Sequence, residues 1–301
     1  MIWRRLAAGV LALFVLTGCA VQLAYDNVDR LARWFASDFI DMNPAQQAQF
    51  DAGVASVWSW HRADHLPRYV DFLDATRRSL ADGTDPEEIE ALVNTVIGWA
   101  EEIESRSLPV AIDLLASLDE QQVGALRQRL AASNAKLADE EQGESLEASR
   151  TRWRKDTSRR FAQFMGPLTD PQKRYIDTQS VRYQPEQALW AEYRGRWQAD
   201  LIRLLAARAD RPRFDDGFRM LAARREAYYG TELEAVWENN RSLSGEVAAW
   251  LLNNLTERQR ARLDERLADL ADELRALTDT PTDAPNDKDG GSVPACEVLT
   301  C

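Results

Sequence analysis

The sequence predicts an all-α protein, a kinked helical bundle or a stack of helical hairpins with no sheet. Three observations carry that prediction. From residue 22 to about 277, apolar residues recur at three- and four-residue spacing. Pro and Gly clusters are the only punctuation. No stretch alternates apolar with polar residues as a half-buried strand does.

The elements follow in order. Helices are predicted over 22–39, 44–66, 67–80, 86–105, 109–116, 120–138, 144–165, 171–183, 185–209, 212–229, 232–253 and 257–277. Four of them open with one device: Met42-Asn43-Pro44-Ala45-Gln46, Leu118-Asp119-Glu120-Gln121-Gln122, Leu168-Thr169-Asp170-Pro171-Gln172 and Leu255-Thr256-Glu257-Arg258-Gln259. In each, Asn43, Asp119, Thr169 or Thr256 is the N-cap, and Gln46, Gln122, Gln172 or Gln259 stands three residues on. This is the capping box, in which the cap side chain accepts from the amide of the third helical residue and Gln accepts from the amide of the cap. Pro44 and Pro171 sit in the first turn, where no amide donor is missed. Successive copies are 76, 50 and 87 residues apart, so no fixed-period solenoid is implied.

The ends carry an address. Arg4 and Arg5 precede an apolar run too short to span a bilayer, and the run closes in Leu16-Thr17-Gly18-Cys19, the layout of an export signal. Those four residues resemble the lipobox of bacterial lipoproteins. The resemblance implies that residues 1–18 are removed as a signal peptide and that Cys19 is acylated, with palmitate-type chains holding the protein to a membrane. With Ala20 rather than Asp next, it also implies an outer-membrane anchor and a periplasm-facing body over 19–277. That body is read as one unit or as two meeting near 139–145. Beyond 278 the chain turns to Thr, Asp, Pro, Asn and Gly, which predicts a disordered acidic tail over 278–301. Cys296 and Cys301 stand near its end, either as a small disulfide loop or as free thiols.

Removing residues 1–18 takes away Arg4 and Arg5 and no acid, so the net charge moves from −12 to −14. A body this acidic is a poor ligand for nucleic acid or anionic lipid, and its membrane residence is expected to come from the lipid anchor.

The Leu-Thr-x-x-Gln helix starts resemble those of Spy-type periplasmic chaperones, small helical proteins that cradle unfolded clients without ATP. The stretch Trp60-His61-Arg62-Ala63-Asp64-His65-Leu66-Pro67-Arg68-Tyr69, following a lipobox and such a helix start, resembles an uncharacterised family of bacterial lipoproteins, from Cys19 to about Leu270. The first resemblance implies a client-holding surface; the second implies location and fold, not chemistry.

Candidate chemistry is sparse. His61 and His65, four apart on one helix, suit two ligands of a Zn²⁺ or Cu²⁺, with Asp64 or Asp71 as a third. Without a fixed third ligand, a structural pair is preferred, His61 hydrogen-bonded in the core and His65 at its edge. Trp58 and Trp60 point nearly opposite ways on a helix, so Trp58, Trp60 and His61 are the candidate contacts for a ligand or client. Trp190, Tyr193 and Trp197 form one stripe read as packing. The stretch 139–160 begins acidic and ends basic, which suits a self-paired solvated helix better than a basic patch. There is no G-x-S-x-G and no phosphate-cradling Gly-rich loop, and paired carboxylates such as Glu101-Glu102 and Glu87-Glu88 need no catalytic explanation. The reading is therefore a non-enzymatic binding protein, a chaperone-like holdase or a scaffold for a protein partner, with no cofactor. The alternatives are an enzyme acting on an envelope polymer through carboxylates and a metal-binding protein.

Overall fold

The computed structural model describes residues 25, 27–141 and 144–279. Cys19, Cys296, Cys301, the signal segment 1–18 and the tail from 280 lie outside the described residues. Among those described there are ten α-helices and no strand: α1 Val28–Ser37, α2 Pro44–Ser79, α3 Pro86–Ala116, α4 Glu120–Glu141, α5 Leu146–Met165, α6 Asp170–Gln179, α7 Gln187–Leu205, α8 Arg211–Ala223, α9 Gly230–Asn253 and α10 Glu257–Asp279. Short 3₁₀ turns at Leu80–Asp82, Ser180–Arg182 and Arg225–Tyr228 follow α2, α6 and α8.

The spine is the antiparallel hairpin of α2 and α3, of 36 and 31 residues, so roughly 54 and 46 Å long. Sequence analysis placed a helix boundary at Pro67 and another at Pro109. The structure runs α2 straight through Pro67 and α3 through Pro109. An interior proline forfeits a backbone hydrogen bond and crowds the preceding turn, costing about 3 kcal/mol. The flanking side chains outweigh that. Leu66 just before the first proline, Tyr69, Val70 and Leu73 after it, and Ile112, Leu114 and Leu115 after the second, are all buried, each contributing about 1.5–3 kcal/mol.

Two apolar clusters are strung along this spine. One gathers Leu66, Tyr69 and Leu73 of α2, Trp99 of α3, Met165, Ile176, and the inner faces of α9 (Leu243, Val247, Leu251) and α10 (Leu267, Leu270, Leu274). The other gathers the end of α3 (Ile112, Leu115) with α4 (Val123, Leu126, Leu130), α7 (Leu201, Leu205) and α8 (Phe214, Phe218). Each cluster takes residues from both sides of 139–145, so the chain crosses between the clusters more than once. α10 lies antiparallel on the second half of α2, with Arg77 bidentate to Asp264 at 2.9 Å and Arg260 donating to the Leu80 carbonyl at 3.1 Å. α2 and α3 approach closely where Gly53 faces Val110; a β-carbon at Gly53 would stand 2.8 Å from both Val110 methyls.

Candidate functional site

The four capping boxes form as their sequences predict, and the structure adds that they meet in pairs. In each box Gln Oε1 accepts from its own cap amide: Asn43 N to Gln46 2.9 Å, Asp119 N to Gln122 3.0 Å, Thr169 N to Gln172 2.8 Å, Thr256 N to Gln259 3.0 Å. Gln46 and Gln122 then exchange amide bonds side chain to side chain at 3.0 and 2.7 Å, and Gln172 and Gln259 do the same at 3.0 and 2.9 Å. The remaining donor of each Gln goes to the carbonyl two residues before its partner's cap: Gln46 to Ser117, Gln122 to Asp41, Gln172 to Asn254, Gln259 to Pro167. Both pairs thus share one pseudo-twofold pattern that locks helix ends together.

Beside the first pair runs a groove of about 690 Å³ between α2 and α3. Its α2 wall is Gln46, Gln49, Phe50, Gly53, Val57 and Trp60, one helical stripe about 20 Å long. The α3 wall is Glu102, Arg106, Pro109, Val110, Asp113 and Leu114. Apolar side chains form the floor, while Gln49, Glu102, Arg106 and Asp113 supply hydrogen-bonding and charged groups along it. The Arg106 guanidinium lies 5.7 Å from the Trp60 ring centre, a cation-π arrangement that holds the indole at the wall. Trp58 faces the other way. It packs on Tyr25 with ring centres 4.2 Å apart, stacks on His61 at 4.9 Å, and donates to the Tyr25 carbonyl. Of the three candidate contacts Trp58, Trp60 and His61, only Trp60 lines the groove.

Behind Trp60 lies a buried aromatic and histidine cluster. His61 is 1% exposed and sits between two phenols, Nδ1 to Tyr25 Oη at 2.9 Å and Nε2 to Tyr69 Oη at 3.1 Å. One ring nitrogen donates and the other accepts, so the neutral ring satisfies both phenols. Burial, reinforced by the neighbouring His65, holds its pKa down to about 3. Burial also raises the Tyr25 and Tyr69 hydroxyls well above the ordinary phenol range.

His65 does not sit at the core edge as expected but is fully enclosed, stacked on His61 and edge-on to Trp60. Neither ring nitrogen makes a hydrogen bond; the nearest acids are Asp64 Oδ2 at 3.4 Å from Nδ1 and Glu102 Oε2 at 3.5 Å from Nε2. Burial, then the Arg68 charge, lower its pKa despite those two carboxylates.

The metal-ligand geometry therefore falls on Asp64, His65 and Glu102, whose donor atoms lie within 4.8 Å of one another, and not on the pair His61 and His65. That constellation has its own cation. Arg68 is bidentate to Glu102 at 2.6 and 2.9 Å and reaches Asp64 at 3.2 Å. This pairing holds the Glu102 carboxyl below its usual range. A divalent ion at these oxygens would have to displace a guanidinium already hydrogen-bonded to both.

The other sequence candidates are structural. Trp190 and Tyr193 pack with Tyr229, while Trp197 donates to the Leu221 carbonyl at 3.2 Å. In the basic half of α5, Arg152 pairs with Glu144, Arg154 with Glu147 and Asp177, and Arg159 with Asp156, so these charges are matched locally. Sequence reading missed the contributions of Arg68, Arg106 and Val110. A glycine at position 53, in the middle of a helix with no turn to serve, is the signal from which a close helix approach could have been read.

A groove-bearing helical bundle stapled by paired glutamine caps is the class of protein these features define. The chain belongs to DUF6279, a family of unknown function whose model matches residues 38–234. That span takes in the groove, His61, His65 and Tyr69, and three of the four helix starts, ending before Thr256. No curated protein and no solved structure matches the chain.

Proposed function

We propose that this is a lipid-anchored protein of the outer membrane, periplasm-facing and tethered at Cys19, that works by binding protein rather than by catalysis. The groove between α2 and α3 carries the reading. A floor of Phe50, Val57, Pro109, Val110 and Leu114, an indole at Trp60 and polar groups along the walls suit an extended or helical polypeptide segment with apolar anchors. The acidic body is suited to keeping a bound client soluble. The anchor reading is supported by the layout of residues 1–19, and no described helix is long and apolar enough to cross a membrane.

A photoreactive residue at Trp60 tests the reading, with the same residue at the core-facing Trp58 as control. Capture of many unfolded envelope proteins at position 60 means a holdase, and capture of one stoichiometric protein means a scaffold. Glycan adducts revive an enzyme of envelope polymer. If position 60 captures no more protein than position 58, the groove is not the binding surface. Labelled palmitate in wild type but not in Cys19→Ala supports the anchor, and equal labelling sinks it.

A further inference from the structure

α1 has an apolar stripe that the body covers only in part, leaving Leu31 and Trp34 exposed. Val28, Leu31, Ala32 and Phe35 recur at i, i+3, i+4 and i+7, with Trp34 beside them, a strongly amphipathic pattern over ten residues. Val28, Ala32 and Phe35 are half-buried, whereas Leu31 and Trp34 stay 40% and 50% exposed. Arg33, paired within α1 to Asp29 at 2.5 Å, also reaches Asp51 of α2 at 3.4 Å. Arg30, Leu31, Trp34, Ser37 and Asp38 form the outward face.

The chain leading into α1 limits where that face can go. Tyr25 is clamped in the core by Trp58 and His61, six residues after Cys19, and Val28 follows three residues later. At no more than about 3.6 Å per residue, Tyr25 lies within roughly 20 Å of Cys19 and Val28 within roughly 30 Å. With acyl chains on Cys19, α1 is within reach of the bilayer surface. Trp is favoured at the headgroup level, Leu just below it, and an Arg on the same face meets lipid phosphate. Ten residues make a helix of about 15 Å, able to lie in the interface but not to span it.

We infer that α1 is an interfacial helix whose occupant is the phospholipid surface itself: Leu31 and Trp34 enter the leaflet that holds the Cys19 acyl chains, with Arg30 at the phosphates. The inference rests on the anchor reading, and it orients the body, bringing the Tyr25 and Trp58 side of α2 toward the membrane. One short helix binds lipid weakly when free, so docking depends on the high local concentration that the tether supplies.

The test separates docking from native acylation. The chain from residue 20 onward, with Cys296 and Cys301 replaced by Ser, is given an N-terminal histidine tag and tethered to phosphatidylethanolamine and phosphatidylglycerol vesicles containing nickel-chelating lipid. A fluorescent probe at Ser37→Cys, on the outward face one turn from Trp34, is read for quenching by doxyl-labelled lipid. Probes at Val93→Cys and Met220→Cys, two other exposed apolar positions, are the controls. Quenching at position 37 at least twofold above both controls, falling to their level in Leu31→Ser, Trp34→Ser, supports the inference. Equal quenching at all three positions, or quenching at 37 unchanged by the double substitution, overturns it. Failure of the anchor reading appears instead in the palmitate labelling, which the artificial tether does not touch.

Discussion

Replacing Gln259 by Ala tests whether the paired caps clamp the bundle. Gln259 is 5% exposed and its partner Gln172 1%, so water has little access to what the substitution leaves behind. Five hydrogen bonds disappear: from the Thr256 amide at 3.0 Å and hydroxyl at 3.2 Å, to the Pro167 carbonyl at 2.9 Å, and the two exchanged with Gln172 at 2.9 and 3.0 Å. Gln172 keeps its bonds to the Thr169 amide and the Asn254 carbonyl. The Thr256 amide and the Pro167 carbonyl keep none of the partners named here. At about 1–3 kcal/mol for each polar group stranded in the interior, the expected loss is roughly 3–5 kcal/mol. The exposed capping box at Asp85 and Glu88 serves as internal control, since Glu88 accepts from its cap amide without a cross-chain partner; Glu88→Ala should cost under about 1 kcal/mol. Gln259→Glu separates the box from the pair: a carboxylate still accepts from the Thr256 amide but donates to neither Pro167 nor Gln172, so it should cost nearly as much as Ala. Urea unfolding gives each value, and a double-mutant cycle with Gln172→Ala should show a coupling of about 1–3 kcal/mol. A loss from Gln259→Ala no larger than that from Glu88→Ala, or additive single losses, would refute the clamp.

Thr169→Ala and Thr256→Ala should each cost about 1 kcal/mol through loss of the cap oxygen, and a change under about 0.3 kcal/mol in urea unfolding would contradict the capping geometry. Because folded His61 resists protonation down to about pH 3 while an unfolded histidine titrates near 6.5, its contribution is complete above pH 6.5 and declines as pH falls toward 3. His61 alone should remove about 2 kcal/mol between pH 7 and pH 5, with His65 acting in the same direction, and a flat stability profile over that range would contradict the buried neutral pair. Zinc titration should give the same weak affinity for wild type, His65→Ala and Glu102→Ala, since Arg68 already occupies the carboxylates; sub-micromolar binding lost in either variant would show that zinc displaces the guanidinium.

The helical class and the four helix starts were legible in the chain because both are local. Apolar spacing of three and four residues and a cap three residues from its Gln are complete within one turn or two, and Asn43, Asp119, Thr169 and Thr256 do what their neighbours imply. Membership in a family of unknown function fits the expectation of an uncharacterised family, without bearing on the lipobox or on the motif at 60–69. What failed was local punctuation set against distant packing. Pro67 and Pro109 read as helix boundaries, but buried side chains after each one repay the lost backbone bond, and those side chains have their partners on other helices. The pairing of Gln46 with Gln122 and Gln172 with Gln259 joins residues 76 and 87 apart, which no window of sequence contains. His65 read as a core-edge residue because its helix ended in the sequence reading at Leu66. Once α2 continues, Trp60, His61 and Tyr69 close around it. The sequence alone determined which segments are helical and where four of them start. Only the tertiary structure decided which starts meet, that Trp60 rather than Trp58 faces the groove, and that α1 leaves Leu31 and Trp34 outward, because each depends on surfaces brought together by burial far along the chain.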